Sequence, residues 1–321
     1  MAPSQLPTFI HCLPAHDLDM PSLSLLHHYH AYTSTSLFSQ VHMHSLFQRI
    51  IPSYAIEHPF LMHGLLAVAS LHRAVDDPSQ RVQQTNISCR HQTKALETYL
   101  PSLNHVTRSN CDAIWAFSAL TAIQAFAYQR LALPGDAINA ALQVVGLSRG
   151  MGAILAIART WMTKNKLDKT LRIRDRKMVP LPSNVDRALH RLTAYSNAVY
   201  GQAGAKKAEA EVKALTDAIN RLRETLGTRG IEDRMNHMTW PVLVPEKFVE
   251  MLKEGHEFAL VLLAYYGASL HQSLRNYWWS KSFGERLVED IRDRLGAAGD
   301  GSRWSELLEW PLEQIEKKPD S

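Results

Sequence analysis

From Pro21 onward the apolar positions recur three and four residues apart, the interval that lines one face of an α-helix. Alternation of apolar and polar residues, the mark of a half-buried strand, is nowhere sustained beyond a few residues. Over residues 58–74, Leu61, Leu65 and Val68 form one stripe and Met62, Leu66 and Ala69 a second beside it, so this helix is predicted to be buried on most sides. Residues 85–99 are more polar and are expected outside it, stopped near Pro101, which cannot continue the ladder of amide donors. Ser109 and Asp112 read as a capping box opening a helix that runs to about Arg130. Its Trp115, Phe117, Leu120, Ile123 and Phe126 point in several directions, which makes it the candidate central core helix.

An Ala- and Leu-rich stretch follows Pro134-Gly135 and reaches Trp161, and further helices are expected at 183–199 and 206–226. Val212, Leu215, Ile219, Leu222 and Leu226 make a narrow seam under a charged surface, ended by Gly227. Two heptads are too few for a coiled coil, so the seam is expected to pack on the rest of the chain. Residues 258–270 are apolar throughout but fall short of the ~20 residues needed to cross a bilayer, and they predict a buried helix. The pattern as a whole predicts an all-α chain: a loose leader over residues 1–20, then a single compact multi-helix domain over 21–321 with about ten to twelve helices.

Composition narrows the class. A chain of 321 residues that is 45% hydrophobic can bury a large core. Its three cysteines, Cys12, Cys89 and Cys111, offer no disulfide framework, and no apolar run follows a basic start, so a reducing compartment is expected. Asn86-Ile87-Ser88 is then a chance sequon. A net charge of +4 does not by itself imply a nucleic-acid surface.

Three features carry candidate chemistry. Gly146-Leu147-Ser148-Arg149-Gly150 has the form of a hydrolase nucleophile elbow, in which glycines permit a strained strand-to-helix turn that exposes the serine. The chain has no alternation of strands and helices to supply that turn, so a bend between helices is the preferred reading and a hydrolase the alternative; no enzyme activity is expected. Among sixteen histidines, His27 and His30 can share a helix face and His42 and His44 lie close together, but no carboxylate or cysteine completes a known spacing, so neither a metal nor another cofactor is predicted. Residues 159–191 concentrate Lys164, Lys166, Lys169, Arg172, Arg174, Arg176 and Lys177 with few acids between them, a solvated loop or an import signal. Without interleaved aromatics or a recognition helix, this segment is not expected to bind DNA.

A set of motifs spread along the chain is more specific. Leu25-Leu26-His27-His28-Tyr29, then His58-Pro59-Phe60-Leu61-Met62-His63-Gly64-Leu65-Leu66-Ala67, Gly152-Ala153-Ile154-Leu155 with Trp161, Trp240-Pro241-Val242-Leu243-Val244-Pro245-Glu246-Lys247-Phe248, Ala264-Tyr265-Tyr266-Gly267, Trp278-Trp279 and Trp310-Pro311 occur in that order. Together they resemble the regulatory domain of the sterol uptake control family of fungal zinc-cluster transcription factors, over about residues 20–312. The DNA-reading module of that family holds two zinc ions with six cysteines. The three cysteines here have no zinc-ligand spacing, so the chain is expected to act as an effector domain without a DNA-binding module of its own.

The resemblance implies a transcription regulator in the nucleus, the cytoplasm or both, working through a protein partner such as a DNA-bound regulator, and controlling a specialised-metabolite gene cluster. It also implies a pocket for a hydrophobic small molecule, sterol-like or polyketide. Apolar walls in such a pocket hold the ligand body while a few polar groups orient it. The two most apolar long segments, 109–130 and 258–279, are expected to form it, with Phe117, Leu120, Phe126, Leu263, Tyr266, Leu270, Trp278 and Trp279 as lining residues.

Overall fold

The computed structural model describes residues 19–131, 136–162, 179–200, 206–227, 237, 239–297 and 301–317; among them the regular elements are all helical and no strand is present. Of the leader expected over residues 1–20, residues 1–18 lie outside the described residues, as does the basic stretch from Lys164 to Lys177, while Asp19 and Met20 already belong to the start of the first helix.

Helix α1 (Met20–His28) is capped by Asp19, whose carboxylate accepts from the Ser22 amide, and it continues through a π-helical turn (Tyr29–Thr33) into a last turn at Ser34–Ser36. After α2 (Val41–Ser45), a second π turn (Leu46–Ile50) and α3 (Ile51–Glu57), the chain enters α4 (Pro59–Asp76), whose first residue is a proline with no amide to leave unpaired. Both stripes foreseen on α4 are largely buried, because α1 covers one flank while α5 (Arg81–Ser102) and α6 (Cys111–Leu131) cover the others. Helix α5 ends at Ser102, one residue past Pro101, so it stops where the proline was expected to stop it, with Pro101 inside the final turn.

The start of α6 differs in detail from the expected capping box. Asn110 Oδ1 accepts from the Thr107 amide at 2.7 Å, Ser109 Oγ pairs with Thr107 Oγ1 at 2.9 Å, and the buried Asp112 takes a hydrogen bond from Tyr54. Burial decides this: a carboxylate inside the core is drawn to the donor facing it across the helix interface.

Helix α7 (Ala137–Met162) packs between α6, α13 (Phe283–Leu295) and the short α10 (Trp240–Leu243). Helices α8 (Ser183–Tyr200) and α9 (Lys206–Leu226) pair, and the seam of α9 is covered by the chain itself: Leu215, Ile219 and Leu222 are buried against α8, α10, α11 (Glu246–Lys253) and α12 (Glu257–Leu274). Helix α12 is buried without a break from Phe258 to His271, held among α9, α11, α13 and α14 (Gly301–Glu316). A side chain at Gly284 would collide with the carbonyl of Gly267 and come within 2.6 Å of the His271 amide, so the backbone-to-backbone crossing of α12 and α13 requires glycine at 284, while a Cβ at Gly267 would sit tightly, 3.3 Å from the Gly284 carbonyl. The buried apolar residues form one connected cluster from Leu25 to Trp310.

Candidate functional site

The residues of the sequence motifs meet in space although they lie far apart in the chain. Trp240 stacks on Tyr266 with ring centroids 4.7 Å apart, and its indole donates to the Ala218 carbonyl at 3.2 Å. Tyr265 stacks on Trp310 at 5.0 Å. Tyr29 donates its hydroxyl to the Phe47 carbonyl at 2.9 Å. Each of these large side chains is buried and each tether fixes one helix against another, which is how aromatic residues specify a helical packing.

The expected lining residues are distributed over several such contacts. Phe117 packs with Phe60 and Tyr99 at 5.7 and 4.4 Å, and with Leu120 it fills the space that Gly64 leaves on α4. Leu263 and Leu270 are buried on α12, and Tyr266 faces Trp240 with its hydroxyl buried and unpartnered. Phe126, at the far end of α6, meets Trp279 at 5.5 Å and Phe283 at 4.8 Å. The structure thus brings Phe126 and Trp279 together and places Phe117 with Leu120, while Tyr266 belongs to a separate contact. The principal neighbours of α6 are α4 and α7, whereas those of α12 are α13 and α14.

The connection between α12 and α13 is a plug. Tyr277 and Trp279 stack nearly parallel at 5.5 Å; the Trp279 indole donates to the Leu37 carbonyl at 2.9 Å and the Tyr277 hydroxyl pairs with Ser39 Oγ at 3.0 Å. Ser282, which closes the connection, adopts φ 66°, a left-handed conformation that non-glycine residues rarely take. Trp278 turns the other way: its carbonyl accepts from the Arg130 guanidinium and its ring stacks on His72 at 4.6 Å.

That stack exposes a polar junction no sequence spacing had singled out. His72 and Asp76 lie one turn apart on α4, with Nε2 and Oδ2 separated by 3.6 Å. His28, the last residue of α1, brings its ring to 5.2 Å from that of His72, and one ligating atom from each of the three side chains lies within 4.8 Å of the others. Thr33 Oγ1 holds His72 Nδ1 at 3.0 Å. Burial lowers the pKa of His28 to about 4, helped by the neighbouring His72 and Arg73, and burial lowers that of His72 despite the opposing pull of Asp76. Both imidazoles are therefore neutral at pH 7. Arg73 is turned aside, donating to the Ser24 carbonyl and hydroxyl at 2.8 and 2.9 Å. On the solvent side a cavity of about 250 Å³ is lined by Arg73, Asp76, Asp77 and Gln80. The i,i+4 spacing of His72 and Asp76 was the one signal available in the sequence; His28, forty-four positions upstream of His72, could be added only by the packing of α1 on α4.

The other sequence candidates do not assemble. Gly146 to Gly150 lies inside the unbroken α7, and Ser148 is fully buried with its hydroxyl unpartnered, so the motif forms neither an elbow nor a bend. Arg149 instead donates to the Val244 carbonyl at 2.7 Å and pairs with Glu246, tying α7 to the segment after α10. His27 is exposed, and His44 Nε2 lies 2.6 Å from the Phe38 carbonyl. Among the described residues no helix is long and apolar enough to cross a membrane.

Residues 24–133 match the family model of the fungal specific transcription factor domain, a segment that runs from α1 through α6 and contains the whole His28–His72–Asp76 junction. No curated protein matches the chain.

Proposed function

We propose that this chain is the regulatory domain of a fungal transcription regulator, a helical module that alters gene expression through a protein partner and not through chemistry of its own. The observation that carries the reading is the family match over residues 24–133. The mutual packing of Trp240 with Tyr266 and of Tyr265 with Trp310 supports its extension beyond that segment, because motif residues of the C-terminal half anchor the same connected core. The residues that would have argued for catalysis support it as well: Ser148 has no access to solvent.

In its finer form the proposal follows the resemblance to sterol uptake control regulators. The domain senses a hydrophobic ligand, sterol-like or polyketide, and serves a specialised-metabolite gene cluster from the nucleus. Binding to one conformation shifts the population toward it and so changes the surface offered to the partner. The test is a fusion of the full chain to an unrelated DNA-binding domain upstream of a reporter. A several-fold change in reporter output over the DNA-binding domain alone is expected, and output equal to that control would sink the reading. For the ligand, a rise in melting temperature across a panel of sterols and polyketides is expected, because a ligand that binds only the folded state stabilises it.

A further inference from the structure

The polar junction has the construction of a metal site. Helix α4 presents an imidazole and a carboxylate at i and i+4, the spacing by which one helix face offers two ligands to a single ion. Four-coordinate zinc holds nitrogen and oxygen ligands at about 2.0–2.2 Å, which sets neighbouring donors ~3.3–3.6 Å apart. The 3.6 Å between His72 Nε2 and Asp76 Oδ2 is already at that separation, and one ligating atom from each of His28, His72 and Asp76 lies within 4.8 Å of the others.

The orientation of the donors is specific. The π-helical turn closes with the Ser34 amide donating to the Tyr29 carbonyl, five residues back, and this wider turn carries both His28 and Thr33 toward α4. Thr33 holds Nδ1 of His72, leaving Nε2 directed at Asp76; a hydrogen bond on the far nitrogen is the usual way a ligand imidazole is fixed. Trp278 covers the ring face, and Nε2 of His28 is buried with no partner, a cost that a bound cation would remove. The nearby guanidinium groups are already committed, Arg73 to Ser24 and Arg130 to the Trp278 carbonyl.

We propose that His28, His72 and Asp76 bind one divalent transition-metal ion of the zinc class, with a fourth position open toward the cavity at Asp77 and Gln80. No cysteine takes part, so the site is unrelated to a cysteine-held zinc cluster. Two neutral nitrogens and one carboxylate suit zinc or another borderline first-row ion better than calcium or magnesium, which prefer all-oxygen shells. The ion would clamp the end of α1 to the end of α4 beneath Trp278.

The full chain, stripped with chelator, is titrated with ZnCl2 and separately with CoCl2. Uptake of one Zn2+ per chain, a rise in melting temperature and visible ligand-field bands with Co2+ are expected. Asp76→Asn removes a half-exposed carboxylate and His28→Gln a half-buried imidazole, so both variants are expected to fold without metal as the parent does while binding it at least ~10-fold more weakly. Thr33→Val is expected to weaken binding about 10- to 100-fold, since it frees the His72 ring. His190→Gln, which removes an exposed imidazole paired i,i+4 with Asp186, is the control and is expected to bind as the parent does. Absence of stoichiometric uptake overturns the proposal, as does uptake that persists in both Asp76→Asn and His28→Gln or that is lost in the control.

Discussion

The junction of α1, α4 and Trp278 and the interior around α12 contrast two ways of burying a helix. Along its first half α12 is enclosed by apolar packing: Leu260, Val261, Leu262, Leu263 and Ala264 are all buried, and at the crossing with α13 two glycines face each other. At the α1–α4 junction the helices meet through His28, His72, Thr33 and Asp76, each with a specific neighbour within reach. Dry packing depends on volume and tolerates exchange between residues of similar shape. A polar junction depends on donors and acceptors, so it responds to protons and ions that leave an apolar stretch such as residues 260–264 unaffected. Regulation through a small solute is therefore expected at the junction, while α12 supplies the frame it works against.

The largest effect is expected where dryness is broken. Leu263→Asp places a carboxylate at a position with 0% exposure. The penalty of at least ~5 kcal/mol is comparable with the whole stability of a domain, and cooperative thermal unfolding is expected to vanish. A variant that still melts cooperatively near the parent temperature would mean that α12 is less enclosed than its burial indicates.

Next in size is the helix crossing. Gly284→Ala puts a methyl group against the Gly267 carbonyl and the His271 backbone, contacts that cannot rotate away. A loss of about 1–3 kcal/mol in urea denaturation is expected. The contrasting change is Gly146→Ala on α7, where a methyl group would meet nothing within 4 Å, and a small gain is expected from the better helix former.

The junction is sharpened by pH. The folded-state pKa of His28 is held at about 4 and that of His91, which faces His63 with Nδ1 atoms 3.0 Å apart, is likewise lowered to about 4, both chiefly by burial. Between pH 6.5 and 4 the unfolded chain then binds more protons than the folded one. The associated stability is present above about pH 6.5 and is lost as the pH falls toward 4. Melting temperature is expected to drop over that interval, and His28→Gln or His91→Gln is expected to flatten the slope. His237, paired with Ser269 beside α12, is also held at about 4, so His237→Asn measures how much of the slope belongs to the α12 side.

The smallest effect is expected at Ser148. Its hydroxyl is buried and unpartnered, so Ser148→Ala removes no hydrogen bond and is expected to leave stability within ~0.5 kcal/mol or raise it slightly. A fluorophosphonate probe is expected to leave the native protein unlabelled. Labelling at Ser148 would require α7 to open around residues 146–150.

The helical class, the buried core helix at Cys111–Leu131 and the enclosed α12 were all legible from the sequence. Periodicity is a local property: where apolar residues recur every three to four positions, the chain can hide them only by coiling, and where they cover every face the helix must lie inside. The Trp and Tyr motifs were legible as landmarks for the same reason, since a side chain of that size is seldom left in water. Partnership was not legible. That Trp278 lies on His72 while Trp279, its neighbour in sequence, turns toward Phe126 depends on a connection closed by Ser282 in a left-handed conformation. The strand-like reading open to Gly146–Gly150 was settled by the helix that runs through it, because a pentapeptide carries no record of the element that contains it. The meeting of His28 with His72 and Asp76 joins two helices through an interface, and interfaces arise from the competition of all buried surfaces at once. Local chemistry determined what each segment could become; which side chains face one another was decided only when the whole core closed.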